Sequence, residues 1–407
     1  MEEGLPRFSY MNMNVFVKSD DQSQTSLSFG MARKGGMKSN SFGRLLIFAS
    51  IIFACGCQNE NACFEGNYDY FSPDVKFVEV GADTLVFPEA YAPFFSVYDS
   101  LIFFFNTEKG SVHIDVYNID TGNPIGRFYP RGHGHEEYVA ISCISNFINE
   151  SDELKALLTA PNEQKLLLWN ISKSIDSCKT VTEQALPYKW QVGHYAPSSK
   201  VVLMGSDRMM AYYPSVPLLG TDEPSLPFFE ICNIPSCKVA DKIQSFKVSL
   251  KYKEKQQITS DRFFDTSFCL KPDGTKFVQS MYWLPQINIV DLQTKKNNWY
   301  RMKGEYDFSV LKTDMSSAKY YYHRVQANDE YIFALWYGEK WTSIGRDTSY
   351  DVLHVFDWNG RLLKAIKLSS PVNEIFLDTK RNILYGSQGD TEHIYAYPID
   401  GIGLSEN

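Results

Sequence analysis

Val355-Phe356-Asp357-Trp358-Asn359-Gly360-Arg361-Leu362-Leu363 sets an Asn-Gly pair between two apolar runs. Asn-Gly readily takes the left-handed backbone of a tight hairpin turn, so this stretch predicts two antiparallel strands. The pattern continues downstream. Glu374-Ile375-Phe376-Leu377-Asp378 leads into the polar turn Thr379-Lys380-Arg381, then Asn382-Ile383-Leu384-Tyr385, and a last strand over 393–397. Short strands joined by short turns make one small antiparallel sheet.

Upstream the same shape recurs: an apolar strand of four to six residues that ends in an aromatic or acidic turn. In Val112-His113-Ile114-Asp115-Val116-Tyr117-Asn118-Ile119 apolar and polar residues alternate with period two, the mark of a half-buried strand. Leu166-Leu167-Leu168-Trp169-Asn170-Ile171, Ala211-Tyr212-Tyr213-Pro214, Ile287-Asn288-Ile289-Val290-Asp291-Leu292 and Ile394-Tyr395-Ala396-Tyr397-Pro398-Ile399 repeat it. Aligned on Val116, Leu168, Tyr212, Ile289, Val355 and Ala396, the copies lie 52, 44, 77, 66 and 41 residues apart. Periods of ~40–50 residues mark propeller blades, each a four-stranded sheet. Six anchors predict an all-β, six-bladed β-propeller. The long intervals hold insertions, one of them carrying the 232–237 loop. Two β-sandwiches would need a Pro/Gly/Ser-rich linker near the middle, and none separates two compositions.

In this blade pattern the chain resembles the six-bladed, TolB-like or NHL-like β-propeller lipoproteins of Gram-negative envelopes. The resemblance covers about residues 76–407. It implies closure of the ring by pairing an N-terminal strand with the last blade. Val75-Lys76-Phe77-Val78-Glu79-Val80 and Thr84-Leu85-Val86-Phe87 are the candidates.

The front of the chain fits that class. The apolar run over 45–54 suits the core of a signal peptide and falls short of the roughly 20 residues that span a bilayer. Arg33, Lys34, Lys38 and Arg44 precede it, and no acidic residue lies between Met31 and Asn59. Ala54-Cys55-Gly56-Cys57 follows, resembling a bacterial lipobox, in which a cysteine is acylated and the peptide is cut just before it. Cys57, with Gly at −1 and Ala at −3, suits the peptidase better than Cys55, which has bulky Phe53 at −2. Met37 opens a conventional signal. We therefore read 1–36 as an upstream extension, 37–56 as signal peptide, 57–75 as anchor and linker, and 76–407 as propeller. Gln58-Asn59-Glu60 lack the Asp that commonly retains lipoproteins at the inner membrane, so an outer-membrane site is expected.

Composition narrows the partners. The whole chain carries −8, and removing 1–56 leaves about −10 on 351 residues. That exceeds the ~250–300 residues of a single core, which suits a repetitive architecture. Without clustered cations, nucleic acid is not an expected partner. The expected ones are the membrane, through the lipid anchor, and a glycan or protein. Beyond the lipobox pair stand Cys63, Cys143, Cys178, Cys232, Cys237 and Cys269. Cys232 and Cys237, separated by a Pro-containing turn, are the local candidates for a disulfide in an oxidising compartment. No second Cys or His pair accompanies them, so no metal is assigned.

The densest polar cluster is Arg131-Gly132-His133-Gly134-His135-Glu136-Glu137-Tyr138, just after a strand. Related lipoproteins often carry a Gly-x-Gly-Pro-Glu-like turn here, and His135 stands where Pro is expected. Gly132 and Gly134 allow close approach of a ligand. Two His with Glu136 or Glu137 offer ligand contacts, and Arg131 offers a cation. Against this stands the plain alternative of a solvated connecting loop. Pairs such as Tyr282-Trp283, Trp299-Tyr300 and Trp336-Tyr337, with Trp341, suit either sugar stacking or the packing between blades. No Gly-x-Ser-x-Gly elbow, P-loop or His-Glu-x-x-His motif occurs, so neither catalytic residues nor a cofactor are assigned. The sequence thus favours a non-catalytic envelope lipoprotein that binds a ligand or protein. The alternative is a propeller lyase or hydrolase acting on polysaccharide, with Arg131, His133 and His135 at its mouth.

Overall fold

The computed structural model describes residues 68–402, apart from 88–89, 91–93, 107–109, 189–200, 214–215, 218–223, 226, 247–264, 305–317, 341–349 and 389–391. Three strands open it: β1 (Tyr68–Phe71), β2 (Phe77–Val80) and β3 (Asp83–Val86). Blade 1 is β4 (Phe94–Tyr98), β5 (Leu101–Phe105), β6 (Val112–Asn118) and β7 (Pro124–Pro130). Blade 2 is β8 (Phe147–Glu150), β9 (Glu153–Ala160), β10 (Lys165–Asn170) and β11 (Thr182–Pro187), with the short helix α1 (Ile171–Ser177) before its last strand. In blade 3, β12 (Val201–Leu203) and β13 (Arg208–Tyr213) are followed by a small hairpin, β14 (Val216–Pro217) and β15 (Pro224–Ser225). Then come β16 (Phe228–Asn233) and β17 (Lys238–Ile243). Blade 4 is β18 (Thr266–Leu270), β19 (Lys276–Met281), β20 (Gln286–Asp291) and β21 (Asn297–Met302). Blade 5 is β22 (Lys319–Ala327), β23 (Tyr331–Lys340), β24 (Tyr350–Asp357) and β25 (Leu362–Val372). Blade 6 is β26 (Glu374–Asp378), β27 (Ile383–Ser387) and β28 (His393–Pro398), with β3 as its fourth strand. The chain is a six-bladed β-propeller.

Both N-terminal segments proposed for closure pair with blades, in different ways. β3 runs antiparallel to β28, with Leu85 opposite Ile394, and completes blade 6. β2 lies parallel on the outer edge of β25, and β1 parallel on that of β21, adding a fifth strand to blades 5 and 4.

The repeated acidic or aromatic turn has a local cause. In five blades the third strand ends on Asn or Asp: Asn118, Asn170, Asn233, Asp291 and Asp357. In four of these blades the side chain accepts from the backbone that follows. Asn118 Oδ1 takes Asp120 N and Thr121 N at 3.0 and 2.9 Å, and Asp291 Oδ1 takes Thr294 N at 2.7 Å. Asp357 Oδ1 takes Asn359 N at 2.9 Å, and Asn170 Oδ1 caps α1 through Lys173 N at 2.9 Å. Such side chains imitate a backbone turn and end the strand. The rule also corrects one anchor. Tyr212 lies on the second strand of blade 3, whereas Ile231, two residues before Asn233, occupies the position of the other anchors. Moving it replaces the intervals of 44 and 77 residues with 63 and 58. Two adjacent tyrosines before a proline imitated the strand end.

The Asn-Gly turn forms between β24 and β25. Gly360 takes φ 78°, and a Cβ there would lie 2.3 Å from ring carbons of Tyr300, so both backbone and packing require glycine.

Cores lie between blades. Phe103, Ile114 and Phe128 of blade 1 close on Leu158, Leu167 and Trp169 of blade 2. Val278, Ile287 and Ile289 of blade 4 close on Tyr322, Val325 and Ile332 of blade 5. The seam between blades 6 and 1 has Phe376 and Tyr385 against Phe87, Phe104 and Tyr117. It is latched outside by Arg381, which holds Asp120 through two bonds of 2.7 and 2.8 Å and reaches Asp99 at 3.2 Å.

In a four-stranded meander, the link from second to third strand and the link into the next blade emerge at the same end. We call that end the upper face. The innermost strands β4, β8, β12, β18, β22 and β26 all enter from it, each with one edge that no strand among the described residues covers. Side chains of neighbouring blades satisfy these edges. Asn146 spans from blade 2 to Leu203 of β12, accepting from its N at 2.9 Å and donating to its O at 2.8 Å. Ser267 Oγ accepts from Val325 N of β22 at 3.2 Å, and Ser96 Oγ of β4 ties the link into blade 2 by donating to Ile144 O at 2.9 Å. Replacing Asn146 by Ala strands a donor and an acceptor on β12. We expect a loss of about 1–3 kcal/mol in urea unfolding, with Asn146→Gln recovering little because its amide sits one methylene too far out.

Candidate functional site

The loop singled out from sequence stands on the upper face between blades 1 and 2, and its groups are largely used locally. Arg131 donates through a guanidinium nitrogen to the carbonyl of Asn106, and it pairs with Tyr138 in an isolated bridge. His113 Nε2 lies 2.8 Å from Tyr138 O, and Val139 N donates to Glu163 Oε1 at 3.1 Å. Glu137 accepts from Gly134 N at 2.9 Å, and its carboxylate fills the space that a side chain on Gly132 would need. The two glycines therefore make room for Glu137 rather than for a ligand. His133, His135 and Glu136 are exposed. Among the described residues no group of three His, Cys, Asp or Glu is placed to hold a metal ion.

A more developed constellation lies on the same face at blades 4 to 6. Glu374 is the first residue of the inner strand β26, delivered by a single-residue link from β25. Asn373 N anchors that link to Ser387 O at 2.7 Å. Arg324 lies on the inner strand β22. Its guanidinium meets both carboxylate oxygens of Glu374 through Nε and Nη2, and Nη1 donates to His323 O at 3.2 Å and to Tyr282 Oη at 3.5 Å. A β-bulge makes this possible. Tyr322 pairs with Trp336 and Val325 with Ala334, so His323 and Arg324 together oppose Leu335. The extra residue breaks the alternation of the strand and re-aims its side chains. A second irregularity, opposite Tyr321, places Gly338 at φ 80°, where a Cβ would strike the Trp336 ring at 2.8 Å.

Rings frame the pair. His323 stacks on Tyr350 at 4.8 Å between centroids and faces Tyr282 at 6.5 Å, while Tyr320 Oη lies 2.9 Å from its Nδ1. Tyr282 packs on Tyr320, which meets Trp283 edge-on, and Tyr337 meets Tyr350 edge-on. Tyr282 and Tyr337 are half-buried; Trp283, Tyr320 and Tyr350 are buried. Two residues along β26, Phe376 meets Phe147 of blade 2 at 6.1 Å between ring centroids. With ~3.3 Å per strand residue, aromatic carbon bridges blades 6 and 2 about 7 Å from the Glu374 Cα.

Burial alone would push the Glu374 carboxyl up. The Arg324 guanidinium and His323 overcome that and hold it down to about 2, and the Arg324 guanidinium is held firmly charged in return. Side-chain exposures of 22% and 15% leave both groups within reach of a ligand. The pair was not legible in sequence. It joins residues fifty positions apart through a bulge, and of its surroundings the aromatic pairs Tyr282-Trp283 and Trp336-Tyr337 stood out in the sequence.

The other sequence-predicted positions divide. Trp283 and Trp299 fill cores, Tyr300 and Trp336 pack against the blade 4–5 core, and Trp341 lies outside the described residues, as does Cys57. Cys232 and Cys237 are free thiols, not the expected disulfide. Cys232 turns into the core between blades 2 and 3 and Cys237 packs against it. Burial raises both thiols, Cys232 to about 12, which disfavours the thiolate that would begin an exchange.

No protein-family model matches the sequence, and no curated protein matches it. Solved structures do. A member of the DUF4221 family from Bacteroides vulgatus is 12% identical with a TM-score of 0.53, over 79% of this chain and 97% of its own. A Bacteroides fragilis protein provisionally named an exported protein is 11% identical, TM-score 0.46, over 81% and 98%. The Cps50 (Swd1) β-propeller domain of Myceliophthora thermophila is 11% identical, TM-score 0.42, over 78% and 99%. At such identity the first of these speaks for the fold alone.

Two buried groups set the acid response. Burial against Trp336 and Tyr322 pushes His354 down to about 3. An unfolded chain takes that proton near ~6.5, so the contribution of a neutral His354 is complete above this pH and declines as pH falls toward 3. Glu374 is ionised down to about 2 when folded and only to ~4.3 when unfolded. Its contribution is complete above ~4.3 and is lost between there and 2. Urea midpoints should therefore fall in two limbs. His354→Gln should flatten the limb below pH ~6.5, and the double variant Arg324→Leu/Glu374→Leu the limb below ~4.3.

Proposed function

We propose that this chain is a lipid-anchored envelope protein of the TolB-like or NHL-like propeller kind that binds a ligand without transforming it. Its site is the upper mouth of the propeller between blades 4, 5 and 6. The observation that carries the reading is the bidentate pair Arg324 and Glu374 at the inner edge of two blades, bordered by half-exposed tyrosines. Partly buried ion pairs contribute little net stability, because desolvation offsets much of their attraction. A pair kept at a channel mouth, with a bulge to aim it, makes better sense as recognition chemistry. The loop 131–137, with Arg131, His133, His135, Glu136 and Glu137, occupies the same face and supplies a second rim for a larger ligand or a protein.

Export and anchoring rest on the apolar run 45–54, the basic residues ahead of it and Cys57. An acylated Cys57 stands eleven residues before β1, a reach of at most ~40 Å. Gln58-Asn59-Glu60 favour the outer membrane.

Two experiments test the parts separately. Metabolic labelling with a palmitate analogue should label the wild type and Cys55→Ala but not Cys57→Ala, and an unlabelled wild type removes the anchor. For the site, the full chain is screened by thermal shift against envelope extracts and saccharide, peptide and lipid libraries. A ligand at a hundred times its Kd adds about 2.7 kcal/mol. That gain should survive His133→Ala/His135→Ala and vanish in Arg324→Leu/Glu374→Leu. The opposite result would move the site to the first rim. Turnover of a polysaccharide that His133→Ala and His135→Ala abolish would replace binding by catalysis.

A further inference from the structure

We infer that the ligand taken at this mouth is an uncharged polyhydroxylated molecule, a neutral saccharide, held by hydroxyl groups that bridge Arg324 and Glu374 beside Tyr282 and Tyr337. The inference rests on the mouth being the binding site and names what enters it.

Charge supplies the first argument. The guanidinium of Arg324 is already neutralised by a two-point contact with Glu374, so the pair carries no net charge. A carboxylate or phosphate approaching Arg324 meets the carboxylate of Glu374 at the same distance. An ammonium approaching Glu374 meets the guanidinium. Either ion would lose its own hydration without a net electrostatic return. A hydroxyl avoids the conflict, because it donates to Glu374 and accepts from Arg324 at once. Hydrogen bonds to charged partners are about twice as strong as neutral ones.

Donor inventory supplies the second. Arg324 has five N–H groups; Nε and Nη2 serve Glu374, and Nη1 serves His323 O and, at a long 3.5 Å, Tyr282 Oη. The two carboxylate oxygens of Glu374 offer about four lone-pair directions, more than Arg324 and the neighbouring His323 ring fill. The free capacity is thus mixed and adjacent, which matches neighbouring hydroxyls on a pyranose. The half-buried rings of Tyr282 and Tyr337 lie on either side of buried His323 and Tyr350 and present apolar surface for the C–H face of such a ring.

The test uses the full chain in detergent with three sets of oligosaccharides of equal length: neutral glucans and galactans, uronate-containing oligomers, and chitosan oligomers. Binding is read by saturation-transfer NMR and calorimetry. The neutral set should bind best. Tyr282→Ala should weaken it roughly tenfold or more, and Arg324→Leu/Glu374→Leu, which keeps the volume and removes both charges, should abolish it. Preference for the uronate or chitosan set, or neutral binding that neither variant changes, overturns the inference. A non-saccharide ligand whose binding the double variant abolishes overturns it as well, while leaving the mouth as the site. If no ligand of any class responds to the double variant, the mouth itself is lost with it.

Discussion

A propeller leaves each blade with an outer edge toward solvent and an inner edge toward the axis. Each of its inner strands lines the axis with one unpaired edge, and an unpaired backbone group away from water costs as much as a lost hydrogen bond. Much of this architecture follows from how those edges are satisfied. Asn146 acts as a piece of borrowed backbone for β12, Ser267 serves β22, and Ser96 serves the link into blade 2. Blades packed only by apolar faces could slide along one another. These side chains fix their height, and so fix which residues of neighbouring inner strands meet.

That height is what brings Arg324 and Glu374 together. Ser267 holds Val325, the residue after Arg324, to blade 4, and Asn373 ties the residue before Glu374 to β27. The ion pair is therefore assembled between two strands whose positions are set independently of it. Its desolvation is offset by contacts already in place, and the charges stay available at the mouth. Buried pairs elsewhere are commonly replaceable by apolar residues without loss. Here replacement should leave the ring standing.

How much of this was legible in sequence follows from the range of the forces involved. The blades announce themselves because their cause is local: alternating burial within a strand, and an Asn or Asp at the end of the third strand that folds the turn onto itself. Where that signal was counterfeited, at Tyr212 and Tyr213, the repeat slipped by one strand. The same locality accounts for the polar loop after blade 1. Residues 131–137 are dense in polar groups because the loop must satisfy itself, and Glu137 does so by lying over Gly132. Arg324 and Glu374 leave no such trace, since their meeting depends on a two-for-one bulge opposite Leu335 and on the ring being closed.

Ring closure in turn depends on a strand far from blade 6 in sequence. β3 supplies the fourth strand of that blade, after β1 and β2 have run along the edges of blades 4 and 5. The three blades that carry the mouth are thus the three that the N-terminal segment binds together. Blades 1 to 3 lack such a strand among the described residues and depend on their cores, on the Asn146 clasp to β12 and, at the seam of blade 1 with blade 6, on the Arg381 latch. The arrangement stiffens the side of the ring where small displacements of β22 against β26 would part a guanidinium from its carboxylate.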